Sequence, residues 1–245
     1  MTWLDFMFTL ALAVVWPAVA LHQHRGYQAR VRAGVPGARL AAYAMGVITQ
    51  WLLAATVVAL WIHLARQWTD IGLVRPAGWQ GWAATAVALV IGGLLFAQSA
   101  MVARRPETHA QVRAAVANYA ELLPVRRSDL SGFSALSITA GVCEELLFRG
   151  YLVWVLSHWL GAWGAQGGAL LVFGVAHAYL GRGAVIRALI AGAVAAGLYV
   201  WSGSLIPSML FHALLDLSSG WMGYIVLAED AGQDGQGGKV AAAAG

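Results

Sequence analysis

Charged residues are scarce in this 245-residue chain, in which Asp, Glu, Lys and Arg together account for 11% of the residues. A soluble domain usually has about 25% charged residues, whereas 60% of this chain is hydrophobic. This shortage of charge excludes a typical soluble domain. The 29 glycines and 12 tryptophans point the same way, because membrane proteins use Gly at helix contacts and Trp at the membrane interfaces. We therefore expect an α-helical membrane protein.

Cysteine is nearly absent, since Cys143 is the one cysteine in the sequence. No disulfide can form within the chain, and cysteine content does not indicate the redox compartment. Cys143 lies next to two glutamates, where a thiol could act as a nucleophile. A single thiol in an apolar run is more often a small buried hydrophobe, and we assign it that role.

The hydropathy pattern predicts an all-α fold, a polytopic transmembrane helix bundle with about seven spans (six to eight). A helix needs about 20 apolar residues to cross a bilayer. The predicted spans lie near residues 3–21, 40–62, 80–103, 132–157, 163–180, 184–201 and 205–227. Residues 1–227 form one predicted integral-membrane domain. Residues 228–245, rich in Gly and Ala, are predicted to form a flexible C-terminal tail.

Arginine is concentrated in the first, third and fifth loops between these spans. Because cytoplasmic loops carry the excess of basic residues, this pattern predicts a cytoplasmic C-terminus. The net charge of +4 is explained by this orientation, and we expect no nucleic-acid partner. The Ala- and Arg-rich composition favours a bacterial or archaeal inner (cell) membrane. The lipid bilayer is the expected surrounding, and the sequence does not indicate an oligomeric state.

Six ionisable residues lie inside the predicted spans of residues 132–227. They are Glu144, Glu145, Arg149, His177, His212 and Asp216. A charge at the bilayer centre costs roughly 2.5–3.5 kcal/mol on insertion scales, so intramembrane ionisable groups are functional candidates by default. Six of them in one half of the protein predict a polar site within the bilayer. A purely structural polar network is the alternative.

Two of these residues, Glu145 and Arg149, are four positions apart with the acid first, which favours a helical ion pair. Glu144 is turned by about 100° around the same helix and has no such partner. It is therefore free to point into a cavity, where a carboxylate can act as a general base on water.

The remaining residues repeat the helical spacing. His212 and Asp216 are four apart, so the aspartate could accept from one imidazole nitrogen and fix the tautomer of the ring. Phe173 and His177 share one face of the predicted fifth span. The pattern leaves the second nitrogen of His212 for a substrate or a metal ion.

The order Glu144-Glu145-xxx-Arg149, Phe173-xxx-His177 and His212-xxx-Asp216 resembles the CPBP family of CAAX prenyl endopeptidases and bacteriocin-processing or immunity proteins. The first motif alone is short, but three motifs in order on separate predicted helices are specific. They cover residues 144–216, and the hydropathy agrees over most of the chain.

The resemblance implies an intramembrane endopeptidase in which Glu144 activates water with help from His177. It also implies that His212 and Asp216 stabilise the oxyanion or orient the site, and that Glu145, Arg149 and Phe173 support it. We favour Asp216 as the group that orients His212, which then donates to the oxyanion. A zinc-dependent alternative would use Glu144, His177 and His212 as ligands, with water in an open position.

The function expected from the resemblance is hydrolysis of a peptide bond in a membrane-anchored peptide or protein, of the glutamic type and without a cofactor. Zn²⁺ is the possible cofactor if the alternative holds. Two other functions stay open at this point. One is a non-enzymatic bacteriocin-immunity or scaffold protein of the same fold, and the other is a proton or ion carrier in which Glu and His relay protons.

Overall fold

A computed structural model describes the backbone of residues 1–242, and the side chains of that range except residue 118 and residues 229–242. Every regular element in the described range is helical, which confirms the predicted all-α fold. The predicted flexible tail, residues 228–245, falls almost wholly outside the described side chains and stays a prediction.

Nine α-helices account for most of the described chain. They are α1 (Trp3–Leu10), α2 (Trp16–Arg32), α3 (Ala38–His63), α4 (Gly78–Ala103), α5 (His109–Val116), α6 (Arg127–Glu144), α7 (Val153–Ala176), α8 (Arg182–Ser202) and α9 (Leu205–Ala242). Two π-helical segments, Ala11–Val15 and Glu145–Leu152, join α1 to α2 and α6 to α7 without a break. Short 3₁₀ turns occupy Trp68–Ile71, Pro106–Thr108, Ala117–Leu122 and Ala178–Leu180.

Six helical stretches of the described chain are long and apolar enough to cross a membrane. One of them, Arg127–Ala176, has 50 residues and contains the predicted span 132–157 and most of the predicted span 163–180. A straight helix of that length would measure about 75 Å, far more than the roughly 30 Å of a bilayer core. Gly161 interrupts it with φ 66° and ψ 177°, a backbone conformation that other residues rarely adopt. The break at Gly161 divides this stretch in two, which brings the six stretches to the predicted number of about seven spans.

The last helix, α9, is central to the packing, since it contacts α4, α6 and α8, while α6 also packs against α3. This arrangement places the helix that carries Glu144 beside the helix that carries His212 and Asp216. Gln50, on α3, faces α6 from the other side, midway along its helix. The polar residues of these helices therefore meet inside the bundle.

The N-terminal helix is attached to the bundle by a buried ion pair. The Arg66 guanidinium donates to both carboxylate oxygens of Asp5, at 2.8 and 2.6 Å, and the Asp5 side chain is fully buried. Arg66 also lies over the rings of Trp61 and Trp154, at 4.9 and 4.4 Å from their centroids. The Tyr151 hydroxyl donates to the Asp5 carbonyl at 3.1 Å. These contacts tie α1 to the loop after α3 and to the start of α7.

The outer surface of the bundle is apolar. Large hydrophobic side chains along α1, α3, α4, α7 and α8 are exposed, and Trp79 and Trp163 expose 70% and 79% of their surface. A soluble protein rarely exposes apolar surface on this scale. The chain is therefore an integral membrane protein whose exterior is in contact with lipid.

Candidate active site

The side chains of the two adjacent glutamates lie in different surroundings. Glu144 ends α6, and Glu145 begins the π-helical segment Glu145–Leu152. A π-helical turn inside an α-helix is rare and is frequent at functional sites. Glu145 is fully buried against Arg149 and His212, whereas the Glu144 side chain is 17% exposed and lines a cavity. The predicted difference between the two carboxylates is present in the structure.

Glu145 connects two of the three sequence motifs. Its Oε1 accepts a hydrogen bond from Nη1 of Arg149 at 3.1 Å and another from Nδ1 of His212 at 2.8 Å. The side chains of Glu145 and Arg149 are 1% and 3% exposed, so this ion pair is screened very little by solvent. Glu145 therefore stabilises its own helix through Arg149 and also holds the imidazole of His212 on α9.

The carboxylate of Glu144 lies between two imidazole rings. Its Oε2 is 4.0 Å from Nε2 of His177 and 4.0 Å from Nε2 of His212. Within the described residues Oε2 is buried and has no hydrogen-bond partner, while Oε1 accepts from Nε2 of Gln50 at 3.0 Å. Both Glu144–imidazole distances are too long for a direct hydrogen bond and suit one bridging molecule.

Hydrogen bonds on the far side of each ring determine which nitrogen faces Glu144. His177 donates from Nδ1 to the carbonyl of Phe173 at 2.8 Å, because a carbonyl oxygen only accepts. His212 likewise donates from Nδ1 to the ion-paired carboxylate of Glu145. The Nε2 atoms of both rings are therefore turned toward Oε2 of Glu144, and each is an acceptor when its ring is neutral.

Phe173 holds the site together through its ring. The ring centroid is 4.6 Å from that of His177 and 6.1 Å from that of His212, the latter edge-on. The Arg149 guanidinium lies 4.0 Å from the same centroid, a cation–π contact. A Cβ placed on Gly192 would come within 2.5 Å of the Arg149 side chain, so α8 approaches the guanidinium closely at this glycine.

Asp216 lies beside His212 without a hydrogen bond to it. Its Oδ2 is 3.6 Å from Nε2 of His212, beyond hydrogen-bond length, and 36% of its side chain is exposed. Glu145 makes the hydrogen bond that was expected from Asp216, at 2.8 Å and on the other ring nitrogen. Asp216 is within ion-pair distance of the ring, so its role in orienting His212 stays a prediction. The i, i+4 spacing along α9 could not reveal the second carboxylate, which α6 brings to the same ring.

The cavity beside Glu144 has a volume of about 50 Å³. A cavity of about 10–15 Å³ is enough for one water molecule, so water fits here. Its lining comes from α2, α3, α6, the π segment and α7, and from the turn after α7: Trp16, Ala20, Gln50, Glu144, Phe148, Ala176, His177 and Tyr179. A larger groove of about 560 Å³ between α7 and α8 is apolar and is lined by none of the predicted site residues.

The possible zinc site would use Glu144, His177 and His212 as its three ligands. Among the described side chains, no group of three or more His, Cys, Asp and Glu residues is arranged to hold a metal ion. Glu144 and the two histidines converge, but each imidazole Nε2 is 4.0 Å from Oε2. Two ligands of one tetrahedral zinc ion lie roughly 3.4 Å apart, so these side chains would have to move closer together to hold one.

Sequence reasoning did not identify Gln50. It lies in an apolar span and is 8% exposed, yet it makes the hydrogen bond to Glu144. A polar amide within an apolar span could have indicated this residue. It was missed because the three motifs all lie on helices other than α3. All seven residues that sequence reasoning did name are brought together in one region of the bundle.

The region that contains these motifs is similar to a known protein family. Residues 127–218 match the family model of the type II CAAX prenyl endopeptidase Rce1-like proteins. This segment resembles a CAAX-type peptidase. The match covers less than half of the chain but includes every motif residue from Glu144 to Asp216, and it confirms the family resemblance predicted from the motifs. No curated protein and no solved structure matches the chain.

Proposed function

We propose that this protein is an intramembrane endopeptidase that hydrolyses a peptide bond of a membrane-associated protein or peptide. The observation that carries the proposal is the position of Glu144 Oε2, unpartnered in the described structure and facing the Nε2 atoms of two histidines across 4.0 Å. The match of residues 127–218 to CAAX-type endopeptidases supports the same reaction class.

In the proposed reaction, Glu144 is the general base. A water molecule in the cavity gives a proton to Glu144 as its oxygen attacks the carbonyl carbon of the peptide bond. His177 accepts the second water proton as a hydrogen bond at Nε2, since its Nδ1 proton is engaged by Phe173. The protonated Glu144 then donates to the leaving nitrogen, the C–N bond breaks, and a carboxylic acid and an amine are released. The remaining proton of the acid passes to the amine, which leaves a carboxylate and an ammonium group and returns Glu144 to its starting form.

The negative charge that develops on the carbonyl oxygen needs a donor, and we assign that role to His212. Because its Nδ1 proton is held by Glu145, His212 donates from Nε2 as an imidazolium. Asp216, 3.6 Å from that nitrogen, stabilises the positive charge of the ring. A donor fixed in position before the reaction stabilises an oxyanion more than mobile water does.

We propose a glutamic mechanism rather than a zinc-dependent one. Oε1 of Glu144 is already engaged by Gln50, and only Oε2 faces the imidazoles. This leaves one carboxylate oxygen for the reacting water, which is what a general base requires.

The test is cleavage of membrane-anchored peptides by purified protein in liposomes, with products identified by mass spectrometry. The library contains prenylated and unprenylated peptides, so that the products also define the substrate class. Glu144→Gln keeps the shape of the side chain and removes the base, and we expect a loss of about 10²–10⁴-fold in rate. Glu107→Gln, at an exposed position in the 3₁₀ turn before α5, is the matched control and should cleave as the unmodified protein does.

Cleavage that depends on Glu144 would support the proposal. A folded protein that cleaves nothing in the library, or a Glu144→Gln variant as active as the unmodified protein, would overturn it. Proton uptake into the same liposomes without cleavage would identify a carrier instead.

A further inference from the structure

The amide of Gln50 makes the one hydrogen bond that the Glu144 side chain has in the described structure, from Nε2 to Oε1 at 3.0 Å. A carboxylate can only accept, so the NH₂ end of the amide must face Glu144. We propose that Gln50 is a positioning residue, which holds Glu144 so that Oε2 faces His177 and His212. This inference rests on the function proposed above.

Burial argues for a specific role of this amide. Gln50 is 8% exposed, and its Oε1 is buried with no hydrogen-bond partner among the described atoms. Burying an amide whose oxygen has no hydrogen-bond partner is unfavourable, and an apolar residue would pack between α3 and α6 without that cost. The contact with Glu144 is the interaction that an apolar residue could not supply.

The geometry indicates what this contact does. Glu144 is the last residue of α6, and its side chain borders a cavity in which it could adopt other rotamers. With Oε1 held from the α3 side, Oε2 is left at 4.0 Å from both imidazole Nε2 atoms. A general base must be held close to the reacting water, and losing that alignment lowers the rate of the chemical step.

The experiment compares Gln50→Met with Gln98→Met in the liposome cleavage assay. Gln50→Met keeps the length of the side chain and removes the donor, whereas Gln98 is an exposed glutamine on α4. A hydrogen bond to a charged group supports an expected fall in kcat of about 10-fold to 100-fold, with KM unchanged within about twofold. Gln98→Met should leave both constants unchanged.

A second variant and a binding measurement separate positioning from packing. Gln50→Asn retains the amide but is one methylene shorter, so it should also lower kcat while leaving α3 and α6 packed. In the inactive Glu144→Ala background, Gln50→Met should leave the affinity for the peptide unchanged. A loosened contact between α3 and α6 would instead weaken binding and lower Tm.

The inference is overturned if Gln50→Met and Gln50→Asn cleave within about twofold of the unmodified protein, or if KM or binding changes as much as kcat. Those results leave the proposed peptidase intact, because the unmodified protein still cleaves. If the unmodified protein cleaves no peptide, the proposed function fails and this inference fails with it.

Discussion

The substitution Glu145→Gln tests the central structural claim, that one buried carboxylate holds both Arg149 and His212. The variant keeps the shape of the side chain and removes its charge. The Arg149 guanidinium, 3% exposed, would then lie in the bundle without a counter-charge. His212 would lose a charge-assisted hydrogen bond of 2.8 Å.

The expected magnitude follows from the burial of the pair. Removing one partner of a buried ion pair costs about 3–5 kcal/mol, because the other charge is left uncompensated. For a chain of this size, 1 kcal/mol corresponds to roughly 2–4 °C in Tm, so we expect Tm to fall by roughly 6–20 °C. The double variant Glu145→Gln/Arg149→Met leaves neither charge unpaired and should be more stable than Glu145→Gln alone.

The assay is thermal unfolding in one detergent, followed for the single variants Glu145→Gln and Arg149→Met and for the double variant. Glu121→Gln provides the matched control, since Glu121 pairs with Arg32 at 3.2 Å where the two side chains are 32% and 69% exposed. An exposed pair contributes about 0–1 kcal/mol, so the control should shift Tm very little. If Glu145→Gln unfolds like this control, or if the two single effects simply add in the double variant, the reasoning is wrong.

Three further predictions concern packing, the role of Asp216 and metal. Gly192→Ala should destabilise the protein by about 1–3 kcal/mol in thermal unfolding, because the new Cβ would meet the Arg149 side chain at 2.5 Å. Gly197→Ala, on the same helix, is the control. Its Cβ would meet nothing within 4 Å, so this variant should be as stable as the unmodified protein or more stable. Asp216→Asn should keep kcat within about 10-fold of the unmodified protein, because Asp216 is 3.6 Å from His212, too far for a hydrogen bond. A loss as large as that of Glu144→Gln would contradict this prediction. Cleavage should survive rigorous chelation, and a loss that zinc restores would refute the glutamic mechanism.

Much of the fold was predictable because the bilayer restricts what a chain can do inside it. Long apolar runs must be helices, since each backbone polar group needs a partner within its own segment. The pattern therefore predicted the all-α bundle and about seven spans. It did not predict that Glu145–Leu152 is π-helical or that one helical stretch runs from Arg127 to Ala176, because hydropathy does not register how adjacent turns are wound.

The membership of the site was also accessible from the sequence. Ionisable side chains are unfavourable inside the membrane, so their presence in the last spans marks Glu144, His177 and His212 as candidate functional residues. Helical spacing correctly predicted the Glu145–Arg149 pair at 3.1 Å, because both residues belong to one helix. Local interactions of this kind depend only on positions along the chain.

Contacts between helices were decided by the tertiary structure alone. Spacing along α9 predicted that Asp216 and His212 are close, and they are 3.6 Å apart, but it did not predict that α6 packs beside α9 and brings Glu145 to the other nitrogen of the ring. Gln50 reaches Glu144 because α3 packs on the other side of α6, which no motif records. The sequence by itself determined which polar groups are placed in the membrane, because that depends on the free energy of inserting each segment, with its side chains, into the bilayer. The packing of the helices decided which of those groups touch, because a hydrogen bond depends on distances between segments far apart in the chain.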